Sequence, residues 1–158
     1  MSYINRQPKD FMKSLQFIHI ALLLGVIGFG VFVVLYFKNS LYFSYTDDRT
    51  FLYMAIIIAF GGNLASKYLY AKMIKQISAK SELSEKAVKF STAHIFRIAM
   101  LEFPALMCVI FTMQSGNTFY FILAGVLVAM MIVLYPTKSR FENDVPLSTK
   151  EKSMLENL

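Results

Sequence analysis

Four residues inside long apolar stretches are the candidates for a polar cluster: Glu102, Asn63, Lys67 and Arg97. Glu102 is the single acidic residue of these stretches and lies about seven residues into its predicted helix, roughly 10 Å deep. An ionised carboxylate is expensive at that depth, so we expect Glu102 to face other helices and to pair with a cation or carry a proton. Asn63 lies at a similar height on an antiparallel neighbour. The spacing predicts a polar cluster of these four, with Lys67 as the expected partner of Glu102.

Two further features bear on this cluster. Arg97 precedes Glu102 by five residues, about 140° around a helix, so the two side chains do not share a face. Pro104 has no N–H, which leaves the Met100 carbonyl unpaired and predicts a kink beside the carboxylate. Two interpretations of the cluster stay open: a proton or cation site, or a polar tie that fixes helix packing.

Other chemistry has little support in the sequence. His19 and His94 lie near the same-side ends of two apolar stretches, which is typical of interfacial anchors, with a metal or haem pair as the alternative. Cys108 is the single cysteine, so neither an intramolecular disulfide nor a cysteine zinc site is expected. There is no nucleophile elbow, P-loop or HExxH motif. We therefore expect no enzyme activity, no metal and no cofactor.

The elements that must position these residues are helices that cross a lipid bilayer. Hydrophobic residues make up 56% of the 158 residues and charged residues 16%, against roughly 45–50% and 25% in soluble domains. Four apolar stretches approach the about 20 residues that a membrane span needs, at 17–37, 51–70, 95–114 and 118–135. Their residues do not alternate as barrel strands do. The sequence predicts an all-α fold, a bundle of four transmembrane helices in a single membrane domain, 1–158.

The basic residues indicate the orientation of these spans. Outside the spans, twelve Lys and Arg fall on the side that holds both termini and the 71–92 loop, and two fall on the other side. By the positive-inside rule both termini are expected to be cytoplasmic, with the protein a multi-pass component of a bacterial cytoplasmic (inner) membrane. Because the basic residues flank apolar runs, the net charge of +6 is interpreted as a topology signal, and no nucleic-acid partner is expected.

The segments outside the spans are short. Residues 136–158 are expected to form a polar cytoplasmic tail. Within it, Ser148 and Glu151 have the spacing of a capping box, which predicts a short helix over 149–157. The 71–92 loop is expected to continue the flanking helices for a turn or two.

The chain also shows weak internal similarity. Residues 18–23 align with 96–101, and 39–43 align with 117–121, at one offset of 78 residues. After this loop, the alignment continues at an offset of 70 residues. The change of offset indicates that the loop of the first half is about eight residues longer than that of the second half. Two tandem hairpin repeats are one interpretation, and chance likeness between apolar helices is the other.

Small residues recur at helical spacing on the first two spans. Such stripes let helix backbones approach closely. We expect the first two helices to pack tightly against each other, and the alternative is contact with a second copy or another membrane subunit. The stripes comprise Ala21, Gly25 and Gly28 on the first span, and Ala55, Ala59, Gly62 and Ser66 on the second.

Two resemblances follow from these residues. Gly25, Gly28 and Gly30, together with Glu102 in Met-Leu-Glu-Phe-Pro-Ala-Leu, resemble the proteolipid c subunits of rotary ATPases. That resemblance implies an ion-carrying role for Glu102, although in that family the carboxylate belongs to the second helix of a hairpin. The Leu-Glu-Phe-Pro-Ala-Leu stretch and the Tyr-Pro-Thr-Lys sequence at 135–138 resemble small uncharacterised four-helix membrane proteins of bacteria, which implies no activity.

The sequence therefore favours a polytopic membrane protein with the lipid bilayer as its solvent. The expected role is that of an accessory or structural subunit of a membrane assembly, as a homo-oligomer or with other membrane subunits. The alternative is a proton- or cation-translocating, proteolipid-like subunit that uses Glu102.

Overall fold

A computed structural model of the chain describes residues 8–47 and 49–156, and these residues fold into six α-helices. No β-strand occurs in these two ranges, where one isolated parallel bridge joins Tyr42 to Asn117. The all-α prediction is therefore confirmed. The helices are α1 (Pro8–Phe37), α2 (Arg49–Lys75), α3 (Leu83–Ser115), α4 (Phe119–Val133), α5 (Lys138–Asp144) and α6 (Thr149–Glu156).

Three of these helices, α1, α2 and α3, are long and apolar enough to cross a membrane. The fourth predicted span, 118–135, ends early, because α4 stops at Val133 after 15 residues, or about 22 Å. Pro136 lies just beyond it and has no N–H with which to continue a helix. A bend of 81° then separates α4 from α5, and the candidate spans number four if this bent pair is counted as one.

Helix α3 is the centre of the bundle. It packs against α1, α2 and α4, whereas α1 and α2 do not form an extensive contact with each other. The prediction that the first two helices pack tightly together was therefore wrong. Each of them packs on α3, because α3 presents apolar residues to both sides, with Ile98, Leu101, Ala105 and Cys108 almost completely buried. Apolar side chains cover all sides of α1, so its sequence does not identify the buried face.

The tail folds back onto one end of the bundle, which we call the tail end. Phe141 of α5 is completely buried, with its ring 5.1 Å from that of Phe11 and 5.0 Å from that of Phe90. Val145 and Leu155 are also buried in this cluster. The tail thus shields apolar side chains of α1, α2 and α3 that continue past the predicted spans.

An ion pair fastens α6 to α3. Lys86 is 1% exposed, and its Nζ donates to both carboxylate oxygens of Glu151 at 2.8 and 2.9 Å. The predicted capping box is confirmed, because the Ser148 N–H donates to Glu151 and the Glu151 N–H donates to the Ser148 hydroxyl. Burial raises the pKa of Glu151, but the hydrogen bonds from Lys86 and Ser148 outweigh it and hold the pKa below its ordinary value.

The two loops at the opposite end are tied to each other. The Tyr42 N–H donates to the Gly116 carbonyl at 2.9 Å, and the Asn117 side chain both accepts from and donates to the Ser44 backbone. Gly116 has a φ of +77°, and a Cβ there would lie 2.5 Å from the Ser40 carbonyl oxygen. This position therefore favours glycine twice, by backbone conformation and by space.

The two halves of the chain are not equivalent in packing. Residues 38–48 separate α1 from α2 and residues 116–118 separate α3 from α4, which matches the eight-residue difference expected from the alignment. However, α3 and α4 pack side by side, whereas α1 and α2 do not. The tandem repeat stays a prediction from sequence.

Candidate functional site

The structure divides the predicted polar cluster between two faces of α3. Asn63, Lys67 and Arg97 line one cavity between α2 and α4. Glu102 lies elsewhere, with its Oε1 atom 3.8 Å from the position that a Cβ would take at Gly25 of α1. The wide angle between Arg97 and Glu102 around α3 accounts for this separation.

Glu102 is half-buried beside α1. Within residues 8–47 and 49–156, its carboxylate has no hydrogen-bond or ion-pair partner, so the expected pairing with Lys67 does not occur there. The neighbouring glycine leaves space for the carboxylate next to the α1 backbone. Within the described residues, this carboxylate is therefore an unpaired acidic group at the contact between α3 and α1.

The cavity on the other side of α3 is basic on one wall and apolar on the other. It has a volume of about 360 Å³, and α2 contributes Asn63, Ser66 and Lys67. Arg97 of α3 completes the polar wall. The apolar wall comes entirely from α4 and its C-terminal end: Val126, Ala129, Met130, Val133 and Leu134.

Several contacts fix Arg97 in place. Its guanidinium carbon lies 4.3 Å from the centre of the Tyr70 ring, a cation–π arrangement. The Tyr70 hydroxyl donates to Asp144 of α5 at 2.5 Å, and the Ser66 hydroxyl donates to the Arg97 carbonyl at 3.0 Å. The Nε atom of Arg97 is buried and, in the described part of the chain, has no hydrogen-bond acceptor. Arg97 therefore keeps a donor unused beside the cavity.

A pair of buried histidines lies near the tail end of α1 and α3. The Nδ1 atom of His19 and the Nε2 atom of His94 are 3.1 Å apart, and both residues are 1% exposed. Tyr135 packs edge-on against His19, with ring centres 5.4 Å apart. The histidines are thus not the interfacial anchors that the sequence suggested. Because α1 and α3 run in the same direction, residues at similar distances from the two helix starts lie at the same height in the bundle. The similar positions of His19 and His94 in their helices were therefore a sequence signal for this pair.

The small-residue stripe of α2 is a packing surface for α3. Ala55 and Ser66 are almost completely buried, and Ala59 and Gly62 are half-buried. A Cβ at Gly62 would lie 2.4 Å from Pro104 Cγ and 2.6 Å from the Met100 carbonyl oxygen.

Pro104 is buried within the uninterrupted helix α3, at the contact with α2. Because Pro104 has no N–H, the Met100 carbonyl lacks its usual helical donor. Gly62 lets the α2 backbone approach the turn where that donor is missing.

The corresponding stripe of α1 is uncovered. Ala21, Gly25 and Gly28 are all exposed, and among the residues described no heavy atom of another element would lie within 4 Å of a Cβ at Gly28. The buried face of α1 instead carries larger residues, with Leu15, His19, Val26 and Val33 at 0–2% exposure.

No protein-family model, curated protein or solved structure matches this chain.

Proposed function

We propose that the chain is a four-span integral protein of a bacterial cytoplasmic membrane, with both termini and the tail end on the cytoplasmic side. Three helices of sufficient length support this, as does the apolar helix α4 that runs alongside them. The outer surface of the bundle is apolar, with Phe17, Phe60 and Ile57 at 74%, 62% and 70% exposure. The exposure of such side chains to water is unfavourable, and their contact with lipid acyl chains is favourable.

We propose further that the protein is an accessory or structural subunit that binds another membrane helix on α1. The observation that carries this proposal is the uncovered stripe of Ala21, Gly25 and Gly28, with the unpaired Glu102 carboxylate beside it. Close helix approach at small residues and a hydrogen bond to a buried polar group are the two main contributors to helix association in lipid. A donor on the incoming helix would satisfy Glu102.

Cysteine cross-linking in native membranes tests this role. In a Cys108→Ala background, Gly28→Cys places a thiol on the stripe, and Ile27→Cys places a matched thiol about 100° away on the same helix. We expect Gly28→Cys to cross-link to a second copy or to another membrane subunit, and Ile27→Cys to do so much less. Equal or absent cross-linking at both positions would contradict the proposal.

The free carboxylate favours a second candidate function, proton or cation translocation through Glu102. A carboxyl group that takes up and releases an ion must not be locked in an ion pair, and Glu102 has none with the described residues. Proton flux into vesicles should then be lost in Glu102→Gln and retained in Glu85→Gln, whose side chain is exposed at the tail end. Unchanged flux in a folded Glu102→Gln protein would eliminate this function and leave the packing role.

A further inference from the structure

We propose that the cavity between α2 and α4 is a binding site for one anionic phospholipid, whose phosphate lies between Lys67 and Arg97 and whose acyl chains lie along α4. This inference rests on the membrane placement proposed above. It does not depend on whether the protein is an accessory subunit or an ion carrier, because Glu102 lies on the other face of α3.

The charge of the cavity selects an anion. Lys67 and Arg97 both line it, and no acidic residue does so in the described chain. The charge of Asp144 acts on Arg97 from the tail end, but its carboxylate accepts from Tyr70, and it forms no direct ion pair with either cation. Two neighbouring cations without a direct ion pair at the edge of a membrane are stabilised when an anion joins them.

The hydrogen-bonding groups of the cavity match a phospholipid headgroup. The buried Nε of Arg97 is a donor without an acceptor, which a phosphate oxygen would satisfy. The buried Oδ1 of Asn63 is an acceptor without a donor among the described residues. A glycerol hydroxyl of the headgroup supplies that donor. An anion without hydroxyl groups would leave Asn63 unsatisfied.

The opposite wall favours a lipid over a soluble anion. All five residues that α4 and its C-terminal end contribute are apolar, so the site is amphipathic across its width. Val126 and Val133 line the cavity and yet are 56% and 75% exposed, which shows that the cavity opens sideways onto the outer surface of the bundle. Acyl chains can therefore leave through this opening into the bilayer while the headgroup stays at the cations.

The height of the cations is also appropriate. Lys67 lies eight residues before the end of α2, roughly 12 Å along the helix from its tail end. Basic pockets between spanning helices on the cytoplasmic side are a recurrent way of binding anionic lipid headgroups.

Native mass spectrometry of the delipidated, detergent-solubilised full chain tests this site. The probes are dioleoyl phosphatidylglycerol and dioleoyl phosphatidylcholine at equal concentration. We expect one tightly bound phosphatidylglycerol, and about fivefold weaker binding in Lys67→Gln and in Arg97→Gln, from the loss of one charge near the headgroup. Lys72→Gln, on the same helix outside the cavity, is the matched control and should bind as the natural protein does.

A second variant separates the cavity from general charge. Ala129→Phe leaves both cations in place and fills the opening beside α4, so it should also prevent binding of phosphatidylglycerol. The proposal is overturned if phosphatidylcholine binds equally well, if Lys72→Gln weakens binding as much as Lys67→Gln, or if Ala129→Phe has no effect. Displacement by millimolar inorganic phosphate alone would equally overturn it, because acyl chains would then contribute nothing.

The membrane placement has its own test. Release of the protein from membranes by alkaline carbonate would refute the placement itself. Retention in the membrane without selectivity for phosphatidylglycerol would refute only the lipid site.

Discussion

Substitution of Gly62 by alanine tests the contact on which the α2–α3 packing depends. The added Cβ would lie 2.4 Å from Pro104 Cγ and 2.6 Å from the Met100 carbonyl oxygen. Carbon atoms attract each other best at about 3.5–4.0 Å, so the two helices would have to separate by about 1 Å at this point. Overpacking of this kind typically costs about 1–3 kcal/mol.

Gly61 provides a matched control on the same helix. A Cβ there would meet no heavy atom of another described element within 4 Å, and the residue is exposed. We therefore expect Gly61→Ala to leave the free energy of unfolding unchanged or slightly higher, because alanine is a better helix former. The double variant Gly62→Ala with Pro104→Ala should recover part of the loss, because it removes the Cγ contact and restores an N–H to the turn.

The natural cysteine supplies the assay. Cys108 of α3 is 1% exposed and is the single cysteine of the chain, so a maleimide should label it when the bundle opens. Labelling during a temperature ramp in detergent gives an unfolding midpoint for each variant. Equal midpoints for Gly62→Ala and Gly61→Ala would refute the packing argument.

Three other predictions concern the loops, the tail and the buried histidines. Gly116→Ala should destabilise the fold by about 1–2 kcal/mol through its left-handed backbone alone, whereas Gly125→Ala should not; equal unfolding midpoints would contradict this. Because the pKa of Glu151 is lowered in the folded chain, its contribution to stability is complete above the ordinary value of about 4.3 and is lost as the pH falls through the lower folded value. The protection factors of the α6 amides, corrected for the intrinsic pH dependence of exchange, should therefore fall in acid. Lys86→Met should reduce that dependence to the part that the Ser148 hydrogen bonds supply, and an undiminished acid response in this variant would assign it to another group. His94→Phe should cost about 1–3 kcal/mol by leaving its histidine partner on α1 unpaired, and an unchanged midpoint would show that water replaces the bond.

Composition and apolar run length predicted the all-helical fold, because a long apolar segment satisfies its backbone hydrogen bonds internally as a helix. The capping box at Ser148 and Glu151 could also be predicted from the sequence, because it depends on two residues only three positions apart. The lengths of α1, α2 and α3 were underestimated, whereas α4 is shorter than its predicted span. Helix α3 begins twelve residues before its predicted span, because the folded-back tail buries residues outside that span, such as Phe90.

The neighbours of each polar residue could not be derived from the sequence. Glu102 contacts α1, and Arg97 faces α2 and α4, because α3 occupies the middle of the bundle. Apolar helices carry little information about their order around a bundle, since lipid and protein are equally apolar neighbours. The contact between Gly62 and Pro104 combines two features that the sequence did show separately. One is a small residue on α2, and the other is a proline on α3 that removes a helical hydrogen bond.

The central place of α3 also bears on how the protein is made. Helices α1 and α2 leave the ribosome before α3, the helix on which both of them pack. In the proposed membrane placement, each of them is therefore in lipid without its packing partner until α3 is made. A fragment that ends in the loop at 76–82 should accordingly insert without forming a compact pair of helices. Co-expression with the remainder of the chain should then reassemble the bundle, since each early span finds its partner in the later fragment.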